Sequence, residues 1–171
     1  HRDKEFPMTD KDFQRISELA GRYTGIVLGD HKRDMVYGRI ARRVRKLNLF
    51  SFTDYLDYLE ANITQELSSF INVITTNLTS FFRENHHFEY LEKTVLPELR
   101  AKNSTAKRIR IWSAGCSSGQ EPYSIAMTLL KASMPTGWDV KILATDLDSD
   151  VLTKAKNAVY SITDIDGLND A

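Results

Sequence analysis

The chain has 171 residues, 23 of them basic and 23 acidic, with 42% hydrophobic residues and a single cysteine. No apolar run approaches the roughly 18 residues that cross a bilayer as a helix, so no membrane insertion is expected. One thiol excludes an internal disulfide framework, and with no secretory signal evident the composition points to a reducing compartment, the cytoplasm.

Residues 8–76 read as a small N-terminal all-helical domain. Thr9 and Asp12 have the spacing of a capping box, and the helix they open carries Phe13, Ile16, Ala20 and Tyr23 on its apolar side before stopping near Gly25. A second helix starts at about Lys32, with Val36, Ile40, Val44 and Leu47 along one side. A third begins at Ser51 with Tyr55, Leu56 and Leu59 inward, and a fourth near Thr64 aligns Leu67, Phe70, Ile71 and Ile74. Four such helices can share one core.

The second helix also carries a charge pattern. Arg39, Arg42, Arg43 and Lys46 fall at i, i+3, i+4 and i+7, which makes one basic stripe. Residues 31–46 hold seven Lys or Arg and one acid, whereas residues 146–171 hold six Asp and two Lys, so a zero net charge hides two opposed regions. The stripe is either a solvated face or a surface for an acidic partner. Nucleic acid is not the expected partner, because the stripe has no interleaved aromatics for base stacking.

Residues 77–107 read as a connecting helix and linker. Asn77, Thr79 and Ser80 supply caps and turn hydrogen bonds. Arg83 follows Phe81 and Phe82, which would anchor the segment while the guanidinium grips a carboxylate or pairs with neighbouring Glu84. His86 and His87 are adjacent and diverge by about 100° on a helix, so they cannot both face one ion from that element, and no metal is expected. Residues 101–107 are polar and read as the linker to a sheet.

Residues 108–171 open with RIRIWSAGCSSGQEPYSIA. Ile109, Ile111 and Trp112 mark a buried strand that stops at a small-residue turn carrying Gly115 and Gly119, after which a helix begins. Residues 140–144 form a second buried strand, ending on Asp146. Strand, glycine turn, helix, strand and acid, in that order, make the first half of a nucleotide-binding sheet. The glycines permit a sharp turn and close approach of a ligand, the helix offers its N-terminal amides, and Asp146 can accept both hydroxyl hydrogens of a ribose.

Glu121, just before Pro122, either helps to start the helix or faces the socket. Cys116 has no base tied to it and reads as packing. The spacing G-x-x-x-G alone separates neither a nicotinamide dinucleotide from S-adenosylmethionine nor a ligand site from a turn that only closes a strand–helix unit. One helical pattern, 150–158, follows Asp146, with no further strands. A doubly wound sheet needs several more, so the chain is expected to be a fragment of impaired activity.

Three strings, TTNLTSFFRE at 75–84, WSAGCSSGQEPYSIAMTLL at 112–130 and ATDLDSDVL at 144–152, closely resemble the chemoreceptor glutamate methyltransferases, the CheR family. The likeness runs from about Phe13 onward, with Ser118 and Gln120 standing where related sequences often carry Thr and Glu. It implies an α/β chain in which the helical domain precedes the first half of a Rossmann-like sheet, a partial S-adenosylmethionine-binding domain over 108–171. It also implies methyl transfer from S-adenosylmethionine to glutamate side chains on the cytoplasmic helices of methyl-accepting chemoreceptors, leaving S-adenosylhomocysteine, with the full-length protein a monomer. Asn77, Thr79, Arg83, Glu121 and Asp146 match family positions that contact the cofactor, beside Gly115 and Gly119 in the turn. Arg83 is the candidate for orienting a reacting carboxylate. The stripe of Arg39, Arg42, Arg43 and Lys46 would face the receptor. A noncatalytic receptor- or nucleotide-binding module and a nucleic-acid methyltransferase are the alternatives.

Overall fold

The computed structural model describes residues 5–165 and 168, so the start at His1 and the acidic Asp166 and Asp170 lie outside the described residues. The chain divides between Thr76 and Asn77 into two units.

The first unit is helical. Helix α1 (Asp10–Thr24) opens on the reciprocal Thr9–Asp12 capping box and closes on Gly25, whose φ of 74° is the left-handed conformation a glycine supplies without a Cβ clash. A single 3₁₀ turn, Asp30–Lys32, leads into α2 (Arg33–Lys46). Ser51 caps α3 (Phe52–Ala61) by accepting the Asp54 amide, and α4 (Ile63–Ile74) follows at once. Phe13, Ile16, Val36, Ile40, Val44, Phe52, Leu56, Leu59, Phe70 and Ile74 fill the shared core. Tyr23, placed on the apolar side from its spacing, is 40% exposed, so the covered face of α1 ends before the helix does.

The second unit begins with an irregular loop and a helical stretch made of α5 (His86–Tyr90), a π turn at Leu91–Val95 and α6 (Leu96–Lys102). Strand β1 (Arg108–Ala114) then pairs in parallel with β2 (Asp139–Thr145), in the register Arg108↔Asp139 to Ala114↔Thr145, and α7 (Gln120–Lys131) makes the crossover. Helix α8 (Ser149–Asn157) follows β2. Residues 101–107 are less of a linker than their composition implies: α6 continues to Lys102, and the Asp139 amide donates to the Lys107 carbonyl at 2.8 Å, so the sheet pairing starts there.

The strands are not buried on both faces. Ile109 packs with Phe88, Leu96, Ile125 and Leu129, whereas Trp112 is 67% exposed and Leu143 is exposed too. Side chains alternate across a strand, so one layer of helices covers every second residue and leaves the others to solvent.

Candidate functional site

The site is built at the C-terminal ends of the two strands. Leaving β1, the turn takes positive φ at every second residue, 82° at Gly115, 50° at Ser117 and 100° at Gly119. That alternation points successive amides into one concavity, a shape that suits an acceptor or an anion. The occupant is the chain itself. The Gly115 and Cys116 amides both donate to the Thr145 carbonyl at 2.8 Å, and the Ser117 amide donates to Asp146 Oδ2 at 2.7 Å.

Asp146 is thereby oriented at the end of β2. Its Oδ1 accepts the Asp148 amide at 2.9 Å, so each oxygen holds one backbone donor. A carboxylate oxygen has two acceptor sites, which leaves capacity for hydroxyl donors at this half-exposed position. Glu121 stands in the first turn of α7, where its Oε1 accepts the Ser113 hydroxyl from the end of β1 at 2.6 Å. The helix-start reading is therefore incomplete, since this exposed carboxylate is also held against the strand. Both acids converge on Cys116: burial pushes that thiol up, and the Asp146 and then the Glu121 charge add to it. With 1% exposure the cysteine is a packing residue.

The two glycines differ. A Cβ built on Gly115 meets nothing within 4 Å, so that side of the turn is open to a ligand. A Cβ on Gly119 would lie 2.6 Å from the Tyr160 hydroxyl and 3.0 Å from Ala155 Cα, so Gly119 is needed for the chain's own packing.

The 77–84 loop is brought to the same turn. The Asn77 side-chain amide donates to Asp148 Oδ2 at 2.6 Å, and the Asn77 backbone carbonyl accepts the Ser117 hydroxyl at 3.3 Å. Asp148 is buried and caps α8 by accepting the Asp150 and Val151 amides, which makes Asn77 a tie between the loop and the end of β2. The Phe82 amide donates to the Ser124 hydroxyl at 2.9 Å, and Phe81 and Phe82 pack edge-on against Tyr160 and Phe88. Thr79 is half-buried on this loop. Arg83 is exposed and donates to the Leu78 carbonyl at 2.9 Å; the Glu84 carboxylate lies instead 3.8 Å from the His86 Nδ1. The rings of His86 and His87 meet edge to face at 4.1 Å.

Several site-forming residues escaped sequence reading. Asp148 has a local signal, an Asp placed just before the helical pattern of α8. Ser113 follows Ile109 and Ile111 on the covered face of β1, which alternation predicts. Tyr160 has no local signal.

The basic stripe divides. Arg43 donates through Nε to Glu66 Oε1 at 2.7 Å and through Nη2 to Oε2, and the Tyr55 hydroxyl donates to the same Oε1 at 3.1 Å. Glu66 is 2% exposed, and its hydrogen bonds, with its charge behind them, raise the Arg43 guanidinium above its ordinary value against the opposing effect of burial. Arg39 donates to the carbonyls of Val73 and Thr75 at the end of α4. Arg42 and Lys46 stay exposed, with Arg42 bonded only weakly to its own helix through the Gly38 carbonyl at 3.2 Å. The two inward arginines reach α4 because α2 and α4 pack side by side in this unit.

The arrangement suits a ligand that has no phosphate. A pyrophosphate seated on the Gly115, Cys116 and Ser117 amides would have to displace their bonds to Thr145 and Asp146. S-adenosylmethionine instead needs acids for a ribose diol and an ammonium, and a cation for a carboxylate. Asp146, Glu121 and Arg83 are of those types.

Comparison with known proteins agrees. Residues 77–171 match the family model described as CheR methyltransferase, SAM binding domain, and residues 11–75 match CheR methyltransferase, all-alpha domain. The chain is 46% identical over 165 residues to a chemotaxis protein methyltransferase of Salmonella typhimurium, covering 95% of this chain and 54% of that protein. It is 46% identical over 164 residues to the protein of the same name from Escherichia coli, with 94% and 54% covered. Against chemotaxis protein methyltransferase 2 of Pseudomonas aeruginosa the identity is 43% over 159 residues, covering 93% and 55%. The chain thus spans about half the length of these relatives. With both of its units matched, this chain belongs to the CheR methyltransferase family.

Proposed function

We propose that the chain forms part of a cytoplasmic, monomeric protein-glutamate O-methyltransferase that uses S-adenosylmethionine and acts on chemoreceptors. The observation that carries the reading is the Asp146 carboxylate, seated on the Ser117 and Asp148 amides beside an open Gly115. A carboxylate of the type that accepts a ribose diol is thus oriented in a turn that has already committed its Gly115, Cys116 and Ser117 amides to the chain itself. The family relationship adds the chemistry.

When bound, the cofactor supplies a sulfonium-activated methyl group that passes to a glutamate carboxylate oxygen, leaving a methyl ester and S-adenosylhomocysteine. Asp146 receives the ribose hydroxyls, and Glu121 receives the ammonium or a ribose hydroxyl. Arg83 releases the Leu78 carbonyl to hold a carboxylate, either the cofactor's own or the attacking one. No side chain need act as a general base, because a glutamate with a reference pKa of about 4.3 is already ionised at neutral pH. The residues therefore work by alignment, which is worth on the order of 7–11 kcal/mol of barrier. Outside the catalytic unit, the exposed Arg42 and Lys46 meet the acidic face of a receptor helix, while Arg39 and Arg43 keep α2 against α4.

Calorimetric titration of S-adenosylhomocysteine into the chain tests this reading. Saturable binding is expected, and it should be lost in Glu121→Ala and in Asp146→Ala while the circular dichroism is retained. Binding that survives both substitutions would mean that the acids are misassigned, and no binding by the unaltered chain would reject a usable site within these residues.

A further inference from the structure

Tyr160 lies beyond α8, outside the three motifs, yet it touches two of them. Its hydroxyl donates to the Ser118 carbonyl at 2.7 Å. Its ring meets Phe81 edge-on, with centroids 4.9 Å apart, and Tyr123 of α7 at 5.9 Å. The Tyr123 hydroxyl donates in turn to the Ala155 carbonyl of α8 at 2.9 Å. The space that Gly119 leaves by lacking a Cβ is filled by the Tyr160 hydroxyl and by Ala155. Ala158, in the left-handed conformation at the end of α8, turns the chain back so that Tyr160 can reach this position.

Building on the cofactor reading above, we infer that Tyr160 is a positioning residue for S-adenosylmethionine, a latch that holds the glycine turn and the 77–84 loop together before the ligand arrives. The turn needs such support. Ser117 sits at φ 50°, a left-handed conformation that is strained for a non-glycine residue and persists only where neighbours over-determine it. Its amide is one of the two that orient Asp146. Tyr160 fixes the next peptide along and, through Phe81, the loop that carries Thr79 and Arg83. The two halves of the cofactor site are thereby fastened at a point away from the ligand. Burial, and then Tyr123 and Cys116 beside it, push the Tyr160 hydroxyl above its ordinary value, so it remains a donor at neutral pH.

The effect on affinity follows from populations: if an unlatched turn is binding-competent one-tenth of the time, the apparent Kd rises about tenfold. Tyr160→Phe keeps the ring contacts and loses one hydrogen bond, for which about threefold to tenfold weaker binding of S-adenosylhomocysteine is expected. Tyr160→Ala loses both, and about tenfold to hundredfold is expected. Backbone amide hydrogen exchange, measured on the same variants without ligand, should quicken at Ser117 and Phe82 while the β1 and β2 pairing keeps its protection. That pattern would not follow from general destabilisation, which loosens the strands as well. If the unaltered chain binds and Tyr160→Ala binds equally well, the latch is refuted and the cofactor reading stands. If the unaltered chain does not bind, the cofactor reading fails here and the positioning role falls with it. Exchange at Ser117 and Phe82 that is unchanged in Tyr160→Ala refutes the latch in either case.

Discussion

Replacing Arg43 by alanine is expected to destabilise the helical unit by about 3–5 kcal/mol, the cost of leaving one member of a buried ion pair uncompensated. Glu66 is 2% exposed, and the substitution removes both guanidinium bonds, leaving it the Tyr55 hydroxyl. Arg42→Ala, one residue earlier on the same helix, removes an exposed side chain bonded only to its own turn, and should stay within about 0.5 kcal/mol of the unaltered chain. Replacing the pair together, Arg43→Met with Glu66→Leu, should recover most of the loss because no buried charge is left behind. Urea unfolding followed by two probes separates the units. Both tryptophans, Trp112 and Trp138, lie in the second unit, so their fluorescence reports on it alone, while far-ultraviolet circular dichroism also follows the helices of the first. The dichroism transition should shift in Arg43→Ala with the fluorescence transition in place. A loss no larger than that of Arg42→Ala, or a double replacement as damaging as the single one, would refute the assignment of Arg43 to the core.

The capping box gives a pH dependence. Burial pushes the Asp12 carboxyl up, but the Thr9 hydroxyl and amide, then Thr53 and Arg15, more than offset this and leave it below its ordinary value of 3.8. A depressed folded-state value stabilises above the unfolded one and is lost as pH falls through the folded one. Asp12→Asn should therefore cost about 1 kcal/mol at neutral pH, and its deficit in urea unfolding should shrink below about pH 4; a deficit unchanged by acid would reject the assignment. At the surface, Arg42→Glu combined with Lys46→Glu should abolish binding to an acidic receptor-helix fragment at low salt. The unaltered chain's binding should itself weaken as the screening length falls below about 10 Å, and binding indifferent to both changes would discard the electrostatic docking surface.

Much of this protein is legible locally. A capping box, a left-handed glycine and a 3.6-residue apolar period act within one or two helical turns, so α1 to α4 can be read from neighbouring residues alone. The strand–turn–helix–strand order and the acid after β2 are equally local, and they single out Gly115, Gly119, Glu121 and Asp146. What those groups do to one another was decided only by tertiary structure. Helical spacing put Arg39, Arg42, Arg43 and Lys46 in one stripe, but whether a side chain meets water or a partner depends on what packs beside it. Here α4 lies beside α2 and takes Arg39 and Arg43. Trp112 shows the reverse: its hydrophobicity predicts burial, but among the described residues only the other face of the sheet has a helical layer. The turn amides follow the same logic, since parallel pairing of β1 with β2 delivers the Thr145 carbonyl and the Asp146 carboxylate to donors that would otherwise serve a ligand. Composition and periodicity fix which groups a segment offers, and the approach of segments distant in sequence fixes which of those offers are already taken.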